Sequence, residues 1–236
     1  PKMVQPTYNV PEEYFVDVYN MGVFRYEGLY IGMPALFHRF GPVDNEEQRP
    51  QYGFTFISVV CSRDLRNWER VGDRQPFIAP SPVGAGAYDL AKNLPPSRPV
   101  VRESELWFYY TGLKYSGWAP KPDRQDSDWG AICLAVLRRD GFVSLDAGNE
   151  EGTILTEPFR LVGGKLSVNV DALEGELGVE VRDEDGQVLE ASAPIEGDHP
   201  RAEVSWRQGD IANLVGQEVR LRFRLRQARL YSYWFE

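Results

Sequence analysis

The feature that most restricts how this chain can fold is a strand pattern that occurs twice. Leu29-Tyr30 opens an apolar run and Ser62-Arg63-Asp64 closes a later one, 35 positions from Leu29 to Asp64. Leu106-Trp107 and Arg138-Arg139-Asp140 repeat the arrangement, with 34 positions from Leu106 to Asp140. The copies are offset by 77 positions at their starts and 76 at their ends, so they read as one supersecondary unit used twice. The runs inside them are short, β-branched and aromatic: 23–26 and 29–33 around Glu27-Gly28, then 54–61, 106–110 and 131–137. No window of helical length carries a 3.6-residue apolar stripe, and the pattern predicts an all-β chain. A four-stranded propeller blade with a long insertion between its middle strands fits the unit.

Near residue 146 the texture changes. Trp, Tyr, Pro and irregular loops give way to cleanly alternating runs at 166–170, 177–181, 202–206 and 219–225. Asp183-Glu184-Asp185-Gly186 between two of them is a hairpin signal, because Asp-Gly tolerates positive φ. In the last run Val219, Leu221, Phe223 and Leu225 share one face while Arg220, Arg222 and Arg224 share the other. The arginine face is read as solvated and paired with surrounding carboxylates. The chain is therefore expected to hold partial or complete β-propeller blades over 1–145, followed by a β-sandwich over 146–236 that is large enough to fold alone.

Charge and motifs exclude several functions. The chain has 26 Lys and Arg against 35 Asp and Glu, a net charge of −9, which disfavours nucleic-acid and anionic-membrane partners. No apolar run approaches the roughly 20 residues of a membrane span. Two cysteines, Cys61 and Cys133, rule out a disulfide framework and leave room for one bridge. There is no G-x-S-x-G elbow, P-loop, H-E-x-x-H or C-x-x-C, and Gly84-Ala85-Gly86 is loop rather than phosphate cradle. His38 and His199 are the two histidines, too few for a metal centre or a Ser-His-Asp relay. His199 reads as turn chemistry and His38 as the end of an apolar strand. No cofactor and no metal are expected, and any catalysis rests on carboxylates.

The candidates lie in the aromatic half. Glu12, Glu13 and Asp17 precede or enter the first copy of the repeat, and Asp89 holds the corresponding place before the second. In a propeller, segments entering the innermost strands pass the central axis, so carboxylates from different blades converge. Two such groups, one protonated and one ionised, are the minimum for glycoside hydrolysis. Tyr14, Tyr19, Tyr88, Trp118 and Trp129 offer sugar-stacking faces, and Asn20 and His38 complete the expected substrate-binding set. For a single Asp beside a strand, turn capping is the more frequent role.

Specific motifs add a family resemblance. The segment Cys61-Ser62-Arg63-Asp64-Leu65-Arg66-Asn67-Trp68 is similar to the S-x-D-L-x-x-W element of five-bladed propeller glycosidases of the glycoside hydrolase 32/43/68-like superfamily. Trp107-Phe108-Tyr109-Tyr110-Thr111-Gly112 resembles that superfamily's W-x-Y-Y-(T/S)-G inner strand. The segment 137–148 resembles the junction at which the last blade of bacterial glycosyl-hydrolase-like proteins passes into a C-terminal β-sandwich, and 219–223 and 228–235 resemble the end of those proteins. The resemblance implies the last two or three blades plus the sandwich. It also implies a catalytic trio of two Asp and one Glu acid, with Asp17 and Asp89 as funnel residues and Glu12 or Glu13 as the acid. The first Asp of that trio normally lies in earlier blades. The implied function is hydrolysis of a plant or microbial poly- or oligosaccharide; the alternative is a non-catalytic carbohydrate-binding or scaffold protein derived from such an enzyme. The implied partners are a carbohydrate, together with a second copy or an N-terminal segment that completes the propeller. Because the sequence starts at Pro1, a preceding segment, a signal peptide included, is expected to be possible. The compartment is unassigned, leaning towards extracellular or periplasmic.

Overall fold

The computed structural model describes residues 15–40, 52–115 and 129–236. The chain divides into two compact units, Pro1–Leu137 and Arg138–Glu236. Both are built from strands, with 3-10 turns at Gly72–Arg74 and Ala212–Leu214, and the all-β class holds.

In the first unit, β1 (Phe15–Tyr26) pairs antiparallel with β2 (Leu29–Phe40) through a turn at Glu27-Gly28. Both turn residues have positive φ, 42° and 83°, the backbone that lets a two-residue hairpin follow the strand twist. The far half of β2 pairs with β3 (Tyr52–Ile57) and its near half with β4 (Val60–Ser62), which carries the two-residue β5 (Glu69–Arg70) on its outer edge. Around the second copy the short strands precede the central strand rather than follow it. The short strands β6 (Lys92–Leu94) and β7 (Val100–Val101) pair with the two ends of β8 (Glu105–Leu113), and β8 pairs with β9 (Gly130–Arg138). A single parallel bridge, Thr55 to Lys92, joins the meanders into one nine-stranded sheet. Met33, Ala35, Ile57, Leu106 and Phe108 are buried in its core, where the Phe108 ring meets Phe24 and Phe77.

The Ser62–Trp68 motif is a self-bonded loop. The backbone N–H groups of Arg66 and Asn67 donate to Asp64 Oδ1 at 2.8 Å, Asn67 Nδ2 donates to Oδ2 at 2.7 Å, and the Leu65 N–H donates to Ser62 Oγ at 2.9 Å. Donation from the two backbone amides holds the Asp64 carboxyl down at about 2. A depressed carboxyl contributes stability at pH values above its ordinary 3.8, and that contribution is lost as pH falls towards about 2. Asp64→Ala should therefore melt below the wild type at pH 6, with the difference closing by pH 2; thermal melts at both pH values check this, and a constant difference contradicts it.

The second unit is an eight-stranded antiparallel sheet organised around one long strand. Strands β10 (Leu145–Ala147), β11 (Gly152–Leu155) and β12 (Phe159–Arg160) are short, whereas β13 (Leu166–Arg182) runs for 17 residues. The first part of β13 pairs with β15 (Ile195–Glu203) and β17 (Ala228–Phe235). Its last part pairs with β14 (Val188–Ala191) and β16 (Glu218–Arg226). The sequence runs 166–170 and 177–181 are thus one strand, whose pairing with β15 shifts register between Ala172 and Leu177. Alternation fixes the core: Val168, Val170, Val179, Val181, Leu221, Phe223 and Leu225 form one buried cluster with Leu166 and Leu230. The outward arginines bind carboxylates, Arg224 with Glu151 at 2.8 Å and Arg182 and Arg222 with Glu180 at 2.6 and 3.7 Å. At the start of this unit Arg138 is held by Asn169 Oδ1 at 2.6 Å, by Asp198, by the Val170 carbonyl and by the Tyr231 ring, and the fully buried Asn169 donates back to the Arg139 carbonyl at 2.6 Å.

Candidate functional site

Register places one row of side chains across the first sheet. Asp17 lies opposite Phe37, Phe37 opposite Thr55, Thr55 beside Lys92, and Lys92 opposite Leu113. Directly paired residues share a face, so Asp17, Phe37, Thr55 and Lys92 all project from the same side. Phe37, 5% exposed, is the floor. Arg39, two residues further along β2, lies over that ring at 5.0 Å from its centroid, and the Lys92 ammonium lies at 4.8 Å. Arg39 Nε holds Asp17 Oδ2 at 2.6 Å. Burial, and then the Arg39 charge, lower the Lys92 pKa from its ordinary value. Between Val18 and Asn20 the β1–β2 register slips by one, leaving Tyr19 as a bulge residue. Its ring meets Phe37 edge-on at 6.3 Å and is 63% exposed.

Asp89 occupies the other face. On β6 and β8, Lys92 pairs with Leu113 while Asn93 pairs with Gly112, so those two rows point in opposite directions. A Cβ on Gly112 would fall 2.7 Å from the Asp89 Cβ and 2.9 Å from Cys133 Sγ, which sets Asp89 on the Gly112 side and explains why no side chain fits there. Asp89 is 6% exposed and accepts a hydrogen bond from the Tyr110 hydroxyl at 2.7 Å. Burial and the adjoining Asp89 carboxylate push the Tyr110 hydroxyl well above its ordinary range, and the same two causes raise the Cys133 thiol. Tyr88 lies under the Lys114 ammonium, 4.1 Å from its ring centroid.

Asp17 and Asp89 are thus not brought to one point. Both precede or open a copy of the repeat, yet Asp17 lies within β1 while Asp89 lies in the segment before β6, and the sheet separates their side chains. His38 also points away from Asp17, because it alternates with Phe37; it stacks on Phe54 and Phe56 at 5.0 and 4.6 Å, and burial, with Arg70 nearby, lowers its pKa. Asn20 is exposed opposite Ala35, and Trp129 meets Tyr115 edge-on at 6.2 Å. Glu12, Glu13, Tyr14 and Trp118 lie outside the described residues. Cys61 and Cys133 are free thiols, and no metal-binding group of three His, Cys, Asp or Glu occurs among the described residues. Sequence reading missed Phe37, Arg39 and Lys92. The alternation of Phe37 and Arg39 along one strand was visible, but their meeting with Lys92 depends on the parallel bridge.

The fold and this face define the class, an all-β protein with an aromatic and charged sheet surface. No family model matches the sequence, and no curated protein matches it. Among solved structures, the chain is similar to a glycoside hydrolase family 43 arabinoxylan arabinofuranohydrolase from Bacillus subtilis, solved in complex with cellotetraose. The TM-score is 0.26 and the identity 10%, over 92% of this chain and 53% of that one, so this chain spans about half of that protein's length.

Proposed function

We propose that this chain is a glycoside-hydrolase-like protein that binds carbohydrate on the Phe37 face of its first unit, without Asp17 and Asp89 acting as an acid and base pair. The observation that carries the reading is the combination on that face of an exposed Tyr19 ring with the paired Asp17 and Arg39. A sugar presents an apolar C–H face and a rim of hydroxyls, and an aromatic plane beside fixed donors and acceptors suits both. Hydrolysis by two carboxyl groups needs them about 5–9.5 Å apart around one bond. Asp17 is engaged by Arg39 and Asp89 is buried against Tyr110 on the far side of the sheet, which favours binding over that pairing.

Calorimetric titration with a panel of neutral and acidic oligosaccharides tests this. The wild type should bind at least one of them, and Tyr19→Ala should weaken that binding by about tenfold, roughly 1.4 kcal/mol. Failure to bind any member, or release of reducing sugar that Asp17→Asn and Asp89→Asn each abolish, contradicts the proposal.

A further inference from the structure

Among the described residues, the Phe37 face sets two cations, Arg39 and Lys92, beside one carboxylate, Asp17. Arg39 is engaged by Asp17, whereas Lys92, on a central strand of the sheet, has no carboxylate partner among the described residues and rests on the Phe37 ring. A half-buried ammonium without a counter-ion is disfavoured by desolvation, and here a guanidinium close by adds repulsion. The Phe37 ring offsets part of that cost but supplies no counter-ion, and the unmatched charge points to a ligand.

We propose that Lys92, with Arg39 beside it, anchors the carboxylate of an acidic sugar, a uronate unit of the glycan that stacks on Tyr19. The proposal rests on the carbohydrate-binding reading above and names its substrate class. The chemistry favours one carboxylate on an otherwise uncharged sugar. The chain's net charge of −9 repels dense polyanions while leaving a short-range contact to a single carboxylate intact. Phe37, Lys92 and Tyr19 also lie within reach of one monosaccharide: the ammonium is 4.8 Å and the Tyr19 ring 6.3 Å from the same Phe37 centroid.

Matched trisaccharides that differ only at C6, trigalactoside and trigalacturonate, test it on the intact chain, with Lys92→Gln, Lys92→Arg and Tyr19→Ala alongside. The acidic member should bind the wild type about tenfold tighter at low salt, an advantage that shrinks at high salt. Lys92→Gln should bring the ratio to about one, Lys92→Arg should keep most of it, and Tyr19→Ala should weaken both sugars. Lys92→Gln should melt close to the wild-type temperature, since it relieves a desolvated charge and loses a ring contact of similar size; a strongly lowered melting temperature would assign Lys92 a structural role and count against the proposal. Equal affinity for the two sugars, with both still dependent on Tyr19, overturns the uronate assignment and leaves the carbohydrate reading standing. An acid preference that survives Lys92→Gln, or displacement of trigalacturonate by equimolar phosphate or sulfate, also overturns it. Binding of neither sugar removes both.

Discussion

Phe223→Ala is expected to destabilise the C-terminal unit by about 3–5 kcal/mol, the range for truncating a fully buried aromatic core residue. Phe223 lies on β16 between Val179 of β13 and Ile154 of β11, is 0% exposed, and meets the Tyr233 ring at 5.0 Å. Because β16 is paired on both sides here, a hole at this point faces residues held by backbone pairing, and the cavity has little freedom to collapse. Arg224→Ala on the same strand is the control. Its ion pairs to Glu151 and Glu180 are partly exposed, so its loss should cost below about 1 kcal/mol. Urea unfolding followed by amide exchange in β13 and β16 reads both variants within the unit they affect. Equal losses in the two variants would contradict the assignment of inward and outward faces.

Tyr110→Phe should cost about 2–3 kcal/mol, because the hydroxyl it removes is the donor at 2.7 Å to a carboxylate that is 6% exposed. The burden comes from the acceptor left behind. Asp89→Asn lightens it by removing the charge, so Tyr110→Phe made in an Asp89→Asn background should cost distinctly less. The coupling between the two substitutions should reach at least about 1 kcal/mol, well above the additivity expected of independent sites. Additive losses, measured as chemical unfolding free energies of the four proteins, would show that Asp89 does not depend on Tyr110. A large, coupled loss of stability would assign to Asp89 a structural task on the face opposite Asp17.

Local rules carried the sequence reading a long way. Glu27-Gly28 and Asp183 to Gly186 turn where their chemistry says they should, because a short loop needing positive φ restricts its residues. The doubled Leu29 and Leu106 pattern corresponds to β2 and β8, each the middle of a meander. The Arg220, Arg222 and Arg224 stripe points outward to carboxylates, as period-two alternation requires. Facing across strands was much less legible. Their places ahead of the two repeats made Asp17 and Asp89 look equivalent, but a side chain's face depends on register and reverses with a shift of one residue. Asp17 is a strand residue and Asp89 a loop residue, so corresponding places in the sequence do not yield equal directions. The bulge at Tyr19 and the bridge from Thr55 to Lys92 are products of long-range pairing, and no window of the sequence contains both partners.

An NMR titration of the isotope-labelled chain with trigalacturonate addresses the ligand face directly. Shifts concentrated at Tyr19, Phe37, Arg39 and Lys92, with Asp89, Tyr110 and Gly112 unmoved and the sugar intact afterwards, are the predicted result. Shifts centred on Asp89 and Tyr110, or the appearance of shorter sugars during the titration, would contradict it.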